Sequence, residues 1–177
     1  LLKKTKHKII SIDDYSSGSI KNHIKNKNVK YIKCNTSEIN KKLFKIKHKI
    51  KAVFHFGEFS RIFQSFKKFD QCFESNSIGS RAVFKFCLDH NIKLIYSATS
   101  ASLGNNGNDK NLSPYAFTKS KNLEFLENLK KWFNFKYNVI FFYNVYGPKQ
   151  ISKGRMATVI GIFEDHYLKG KALPVVK

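Results

Sequence analysis

Arginine is scarce in this sequence. Of 33 basic residues only Arg61, Arg81 and Arg155 are arginines, so 33 − 3 leaves 30 lysines, spread along nearly the whole chain. A net charge of +21 invites a nucleic-acid reading, but phosphate recognition needs clustered Lys and Arg. Abundant Lys, Asn, Ile and Phe together fit the codon usage of an AT-rich genome. A solvated lysine surface is therefore expected, with no nucleic-acid partner. Cysteine is sparse as well. Cys34, Cys72 and Cys87 are odd in number and far apart, which argues against a disulfide framework and matches no Cys-x-x-Cys metal pattern. They read as reduced, mostly buried thiols. His7, His23, His48, His55, His90 and His166 follow no ligand spacing either, and no metal is expected. No run of ~18 apolar residues is present to span a bilayer. The opening Leu1-Leu2-Lys3-Lys4 has neither an initiator Met nor the apolar stretch of a signal peptide. A soluble, cytoplasmic chain, truncated in front and with no membrane partner, is the expectation.

What is present is the alternation of an α/β protein. At 177 residues and 42% hydrophobic, the chain can bury one core and a fragment of another. Strand-like apolar runs cover Lys8 to Ile12, Val29 to Ile32, Ala52 to Phe56, Lys93 to Ser97 and Asn138 to Phe142. Between them, Ser75 to Asn91 and Tyr115 to Asn134 carry apolar residues at three-to-four spacing, as helices packed on a sheet do. A doubly wound parallel sheet follows. Gly104-Asn105-Asn106-Gly107-Asn108-Asp109 reads as a surface excursion. After Gly147-Pro148 the pattern changes to a helix from Met156 to Leu168 and an apolar Leu173-Pro174-Val175-Val176. The boundary is drawn at 148, with 1–148 a dinucleotide-binding domain and 149–177 the start of a substrate-binding one.

Several positions suit chemistry. The first strand-like run ends in Asp13-Asp14. An acidic residue at the end of the second strand of a dinucleotide fold accepts hydrogen bonds from the adenosine ribose and repels the extra phosphate of NADP, which favours NAD. An Asp turn with a helix cap explains the same residues equally well. Val53-Phe54-His55-Phe56-Gly57-Glu58 leads a strand into a small residue where backbone can approach a cofactor. Asn76, opening a long helix, is a cap or a neighbour of the cofactor. The strongest constellation is Ser97-Ala98-Thr99-Ser100 at a strand end, followed by Ser113-Pro114-Tyr115-Ala116-Phe117-Thr118-Lys119. Ser-Pro marks a helix start. Tyr and Lys four apart on that helix share a face, so an ammonium can sit beside the phenol.

These segments, with Tyr143-Asn144-Val145-Tyr146-Gly147-Pro148, resemble successive landmarks of the extended short-chain dehydrogenases/reductases that act on nucleotide sugars. Tyr143 to Ala157, including Lys153-Gly154-Arg155-Met156-Ala157, is similar to the corresponding segment of UDP-glucose 4-epimerases and ADP-glyceromanno-heptose 6-epimerases. The resemblance implies a Rossmann-like fold with NAD as cofactor. It implies Tyr115 as the base acting on a sugar hydroxyl, and Thr99, with Ser100 beside it, as the group bonding the reacting oxygen. Lys119 would lower the Tyr115 pKa and bond the nicotinamide ribose. A free phenol titrates near ~10, so use at neutrality needs a shift of roughly three units. Asp13 and Asp14 would hold the adenosine ribose, and Phe56, Gly57 and Asn76 would line the cofactor. Asn144 would contact the phosphates of the sugar nucleotide, with Lys153 and Arg155 neutralising them.

Dehydrating members of the family carry an acidic pair directly after the Thr. Here Ser100 and Ala101 follow, which favours epimerisation through a transient keto sugar. The family's first strand and its Gly-x-x-Gly-x-x-Gly turn have no counterpart in this sequence, Glu58 replaces a usual small residue, and Leu103 stands where Tyr is common. The fragment itself is therefore expected to bind NAD poorly, and the enzyme reading concerns the intact protein. A homodimer through the Tyr115 helix and the long helix before it is also consistent with the resemblance. The competing readings are a net reductase on the same scaffold and a basic nucleic-acid-binding protein on a retired fold. The complete Thr99, Tyr115 and Lys119 set argues against the latter.

Overall fold

A computed structural model describes residues 2, 4–154 and 157–174. In chain order its main elements are β1 (Ile9–Asp13), β2 (Val29–Lys33), α1 (Ile39–Leu43), β3 (Ala52–His55), α2 (Ile62–Lys67), α3 (Phe69–Phe73), α4 (Ser80–Asp89), β4 (Lys93–Thr99), α5 (Pro114–Phe133), β5 (Tyr137–Phe142) and α6 (Val159–Leu168). The five strands lie within two residues of the apolar runs read from the sequence. All pair in parallel, as β2-β1 and as β3-β4-β5. In a doubly wound sheet of order 3-2-1-4-5-6 these are positions 3-2 and 4-5-6. No strand fills position 1 among the described residues.

Burial follows position in the sheet. Central β4 is buried along almost its whole length, whereas β5, at the sheet edge, is largely exposed. The core joins Val83, Phe84, Phe86 and Cys87 of α4 to Leu94, Tyr96 and Ala98 of β4 and Leu126 and Leu129 of α5. Ile10, Ile12, Ile32 and Val53 pack against it. All three cysteines are buried and unpaired, and burial pushes the Cys87 thiol up to about 12.

The helix expected over 75–91 is not continuous. It opens as one π-helical turn, Glu74–Gly79, and becomes α-helical only at Ser80. Apolar spacing alone does not report this widening, because a single turn of six residues is too short for one helical period to be told from another. The short helices α2 and α3 were not read from the sequence, and the polar excursion after β4 coils into a 3-10 stretch, Gly104–Asn111. α5 begins where Ser-Pro placed it: the Ser113 hydroxyl accepts from the Ala116 N–H at 3.0 Å, Pro114 occupies the first turn, and left-handed Asn134 closes the helix.

The chain divides into two compact units, Leu1–Phe142 and Tyr143–Lys177. In the second, the expected Met156 to Leu168 helix begins at Val159, because Thr158 caps it by accepting from the Gly161 N–H at 3.1 Å. Met156, Val175 and Val176 lie outside the described residues. No helix among the described residues is long and apolar enough to cross a membrane.

Candidate active site

The carboxyl ends of the parallel strands carry most of the residues singled out above, as expected where ligands bind open α/β sheets. β1 ends in Asp13, followed by Asp14, and both are exposed. Each turns one carboxylate oxygen to a backbone N–H two residues on, Asp13 to Tyr15 at 2.7 Å and Asp14 to Ser16 at 2.8 Å. The Asp-turn reading is thus realised, while the carboxylates remain accessible to solvent. Beyond β3, Phe56 is 47% exposed and meets the Phe142 ring edge-on at 5.3 Å. A Cβ added at Gly57 would meet nothing within 4 Å. An exposed acidic pair, a half-open aromatic and an unobstructed glycine fit the ribose and backbone approach of a dinucleotide.

Thr99 closes β4. Its hydroxyl accepts from the Ala101 N–H at 3.2 Å, which starts the 3-10 turn holding half-buried Ser100. Tyr115, in the first turn of α5, lies near enough to Thr99 for that hydroxyl to act on its phenol. The two residues expected to bracket a reacting oxygen are therefore brought together from different elements. Burial pushes the Tyr115 phenol above its ordinary value. The Thr99 hydroxyl draws it down, the Glu58 charge raises it, Arg61 lowers it and Cys72 raises it, with a net upward result.

Lys119 is buried one turn along α5. Its ammonium is held by the Glu58 carboxylate and the Ser97 carbonyl, with the Ser97 hydroxyl at 3.5 Å and the Tyr96 ring centroid at 4.5 Å. Glu58, noted in the sequence only as a departure from a small residue, is central here. It also accepts from the Ser80 hydroxyl at 2.6 Å, the Tyr96 hydroxyl at 3.1 Å and the Asn122 amide at 3.1 Å. His55, whose Nε2 lies 2.9 Å from the Ser80 hydroxyl, is fully buried, and burial pushes its pKa below the ordinary imidazole value. Asn122, three residues after Lys119 on the same helix face, offered a signal that the Tyr-Lys spacing overshadowed.

Asn76 sits differently from the cofactor-lining expectation. It is fully buried. Its oxygen accepts from the Phe59 N–H at 2.7 Å, and its amide donates to the Phe59 carbonyl and the Thr118 hydroxyl, each at 3.1 Å. Its amide is occupied in fixing the loop after β3.

In the second unit, Asn144 is exposed. Lys153 pairs with Asp165 at 3.5 Å, beside Lys169 at 2.5 Å. The Lys169 hydrogen bond, together with both ammonium charges, holds the Asp165 carboxyl below its usual range. Arg155 lies outside the described residues. No group of three His, Cys, Asp or Glu among the described residues could hold a metal ion.

Parallel strands with flanking helices define an α/β fold of the dinucleotide-binding kind, with Thr99 at the end of β4 and Tyr115 and Lys119 on the helix that follows. The chain belongs to the NAD-dependent epimerase/dehydratase family, whose model matches residues 1–177. It is 31% identical over 159 residues to an ADP-L-glycero-D-manno-heptose-6-epimerase of Brachyspira hyodysenteriae, covering 80% of this chain and 49% of that protein. It superposes on the UDP-N-acetylglucosamine 4-epimerase of Methanobrevibacter ruminantium M1, in complex with UDP-N-acetylmuramic acid, with a TM-score of 0.84 and 28% identity, over 96% of this chain and 57% of that one. A second solved structure, the UDP-glucose 4-epimerase of Thermotoga maritima with UDP-glucose, gives a TM-score of 0.86 and 25% identity, over 99% and 60%. The chain thus spans roughly half the length of the curated relative.

Proposed function

We propose that the intact protein epimerises a nucleotide-linked sugar with NAD, and that Tyr115 is its base. The observation that carries this reading is the placement of Thr99 at the carboxyl end of β4, with Tyr115 in the first turn of α5 and buried Lys119 one turn further along the same helix. A sugar hydroxyl placed between these groups would give its proton to Tyr115 while Thr99 holds the oxygen. NAD, when bound, would supply the hydride acceptor and, in its reduced form, the hydride donor. Asp13 and Asp14 would hold its adenosine ribose, with Phe56 and Gly57 alongside. Ser100 would support Thr99. Asn144, Lys153 and Arg155 would contact the diphosphate of the substrate.

Inversion at carbon 4 of a UDP-sugar is favoured by superposition on two 4-epimerases over nearly the whole chain. Inversion at carbon 6 of an ADP-heptose is the second reading, favoured by the 31% identity to a 6-epimerase. Incubating the intact protein with UDP-glucose, UDP-N-acetylglucosamine or an ADP-heptose should yield one epimer pair by proton NMR, without net NADH accumulation. Stoichiometric NADH formation would indicate a dehydrogenase instead. A homodimer paired through α5 and α4 belongs to the same proposal, and sedimentation should give twice the chain mass.

A further inference from the structure

The densest buried polar cluster surrounds Glu58. Carboxylates and ammonium groups are seldom fully enclosed unless paired, and the side chains of Glu58 and Lys119 are only 3% and 4% exposed. Three elements converge on the carboxylate, Ser80 from α4, Tyr96 from β4, and Lys119 and Asn122 from α5, while Glu58 itself lies just past β3. Asn122 also donates to the Asn76 carbonyl at 2.6 Å and to the Tyr96 hydroxyl at 3.1 Å. The cluster is thus tied to the loop after β3. Its donors satisfy the carboxylate on both oxygens, and the Lys119 ammonium is turned toward Glu58 and Ser97.

We infer that Glu58 is a positioning residue for the catalytic pair: it clamps Lys119 against the Ser97 carbonyl and cancels its charge, so that Lys119 alone does not ionise Tyr115. The inference rests on Tyr115 being the base. Other titratable groups bearing on the phenol or the carboxylate are His55, Arg61, Cys72 and Tyr96. His55 is buried, and burial opposes its protonation. Burial is the largest influence raising the phenol; Glu58 and Cys72 add to it, while Thr99 and Arg61 draw it down.

Ultraviolet difference titration of the intact protein tests this, with each variant compared to its Tyr115→Phe counterpart to isolate one phenol. Glu58→Gln should lower the Tyr115 pKa by about one unit, because it removes a negative charge and leaves Lys119 uncompensated. Glu58→Gln combined with Lys119→Met, a neutral pair, should titrate within about half a unit of the unaltered protein. An unmoved phenol in folded Glu58→Gln overturns the inference, as does a shift beyond about one unit in the double variant. Should Glu58→Gln fail to fold, Lys119→Met alone carries the test: it leaves the Glu58 charge uncompensated and should raise the Tyr115 pKa by about one unit, and an unmoved phenol there overturns the inference. A purely structural role for Glu58 would alter the melting temperature and leave the titration in place. Lack of epimerase turnover in the unaltered protein would remove the proposed function, whereas the titration reads the charge cancellation whether or not turnover occurs.

Discussion

Asn76 holds the Phe59 N–H and carbonyl at once and reaches Thr118 across the core. Phe59 follows Glu58, so this amide fixes the backbone that aims the carboxylate at Lys119. Asn76→Ala would strip the Phe59 carbonyl and the Thr118 hydroxyl of a partner, while Ser75 keeps one bond to the Phe59 N–H at 3.1 Å. A loss of about 1–3 kcal/mol is expected, read by urea denaturation. An unchanged midpoint would contradict the clamp. Tyr115 and Lys119 were legible in the sequence because both stand on one helix four residues apart. Glu58 was not, since its partners Ser80, Tyr96, Lys119 and Asn122 stand 22, 38, 61 and 64 residues further along the chain. Nothing local distinguishes a buried, paired carboxylate from a solvated one.

The π turn before α4 is the element whose form escaped sequence reading, and Gly79 is its tightest point. A Cβ there would lie 2.2 Å from the Thr36 hydroxyl and 3.5 Å from the Glu74 carbonyl. Gly79→Ala should therefore cost about 1–3 kcal/mol through overpacking, despite the better helix propensity of Ala. Combining it with Thr36→Ala should recover most of that loss, measured by thermal unfolding. Equal melting temperatures for Gly79→Ala and the unaltered protein would show that the turn relaxes freely. The strands were legible for the opposite reason: each writes itself as a short run rich in apolar and β-branched residues. The helices α2 and α3 were missed because each is only five or six residues long. They meet at Lys68, whose backbone leaves the helical region at φ −118° and ψ 48°. Such short pieces present too few turns for periodicity to register.

At the scale of the whole molecule, the fold class was legible from the alternation of strand and helix. The missing acidic pair after Thr99 pointed, through the resemblance, toward epimerisation. The net charge of +21 belongs to this scale too, since dispersed lysines govern solubility and the field around the protein rather than its fold. The groups that the proposal assigns to the sugar nucleotide, Asn144, Lys153 and Arg155, fall within the span of the second unit, Tyr143–Lys177. The claim that joins the scales is that Tyr115 is the base of an epimerase. In the intact protein, Tyr115→Phe keeps the ring and its packing but removes the ionisable hydroxyl, so NAD content and melting temperature should be unchanged. Epimer interconversion, followed by proton NMR, should fall by about 10²–10⁴-fold. Turnover within a few-fold of the unaltered protein would contradict the assignment of Tyr115 as the base.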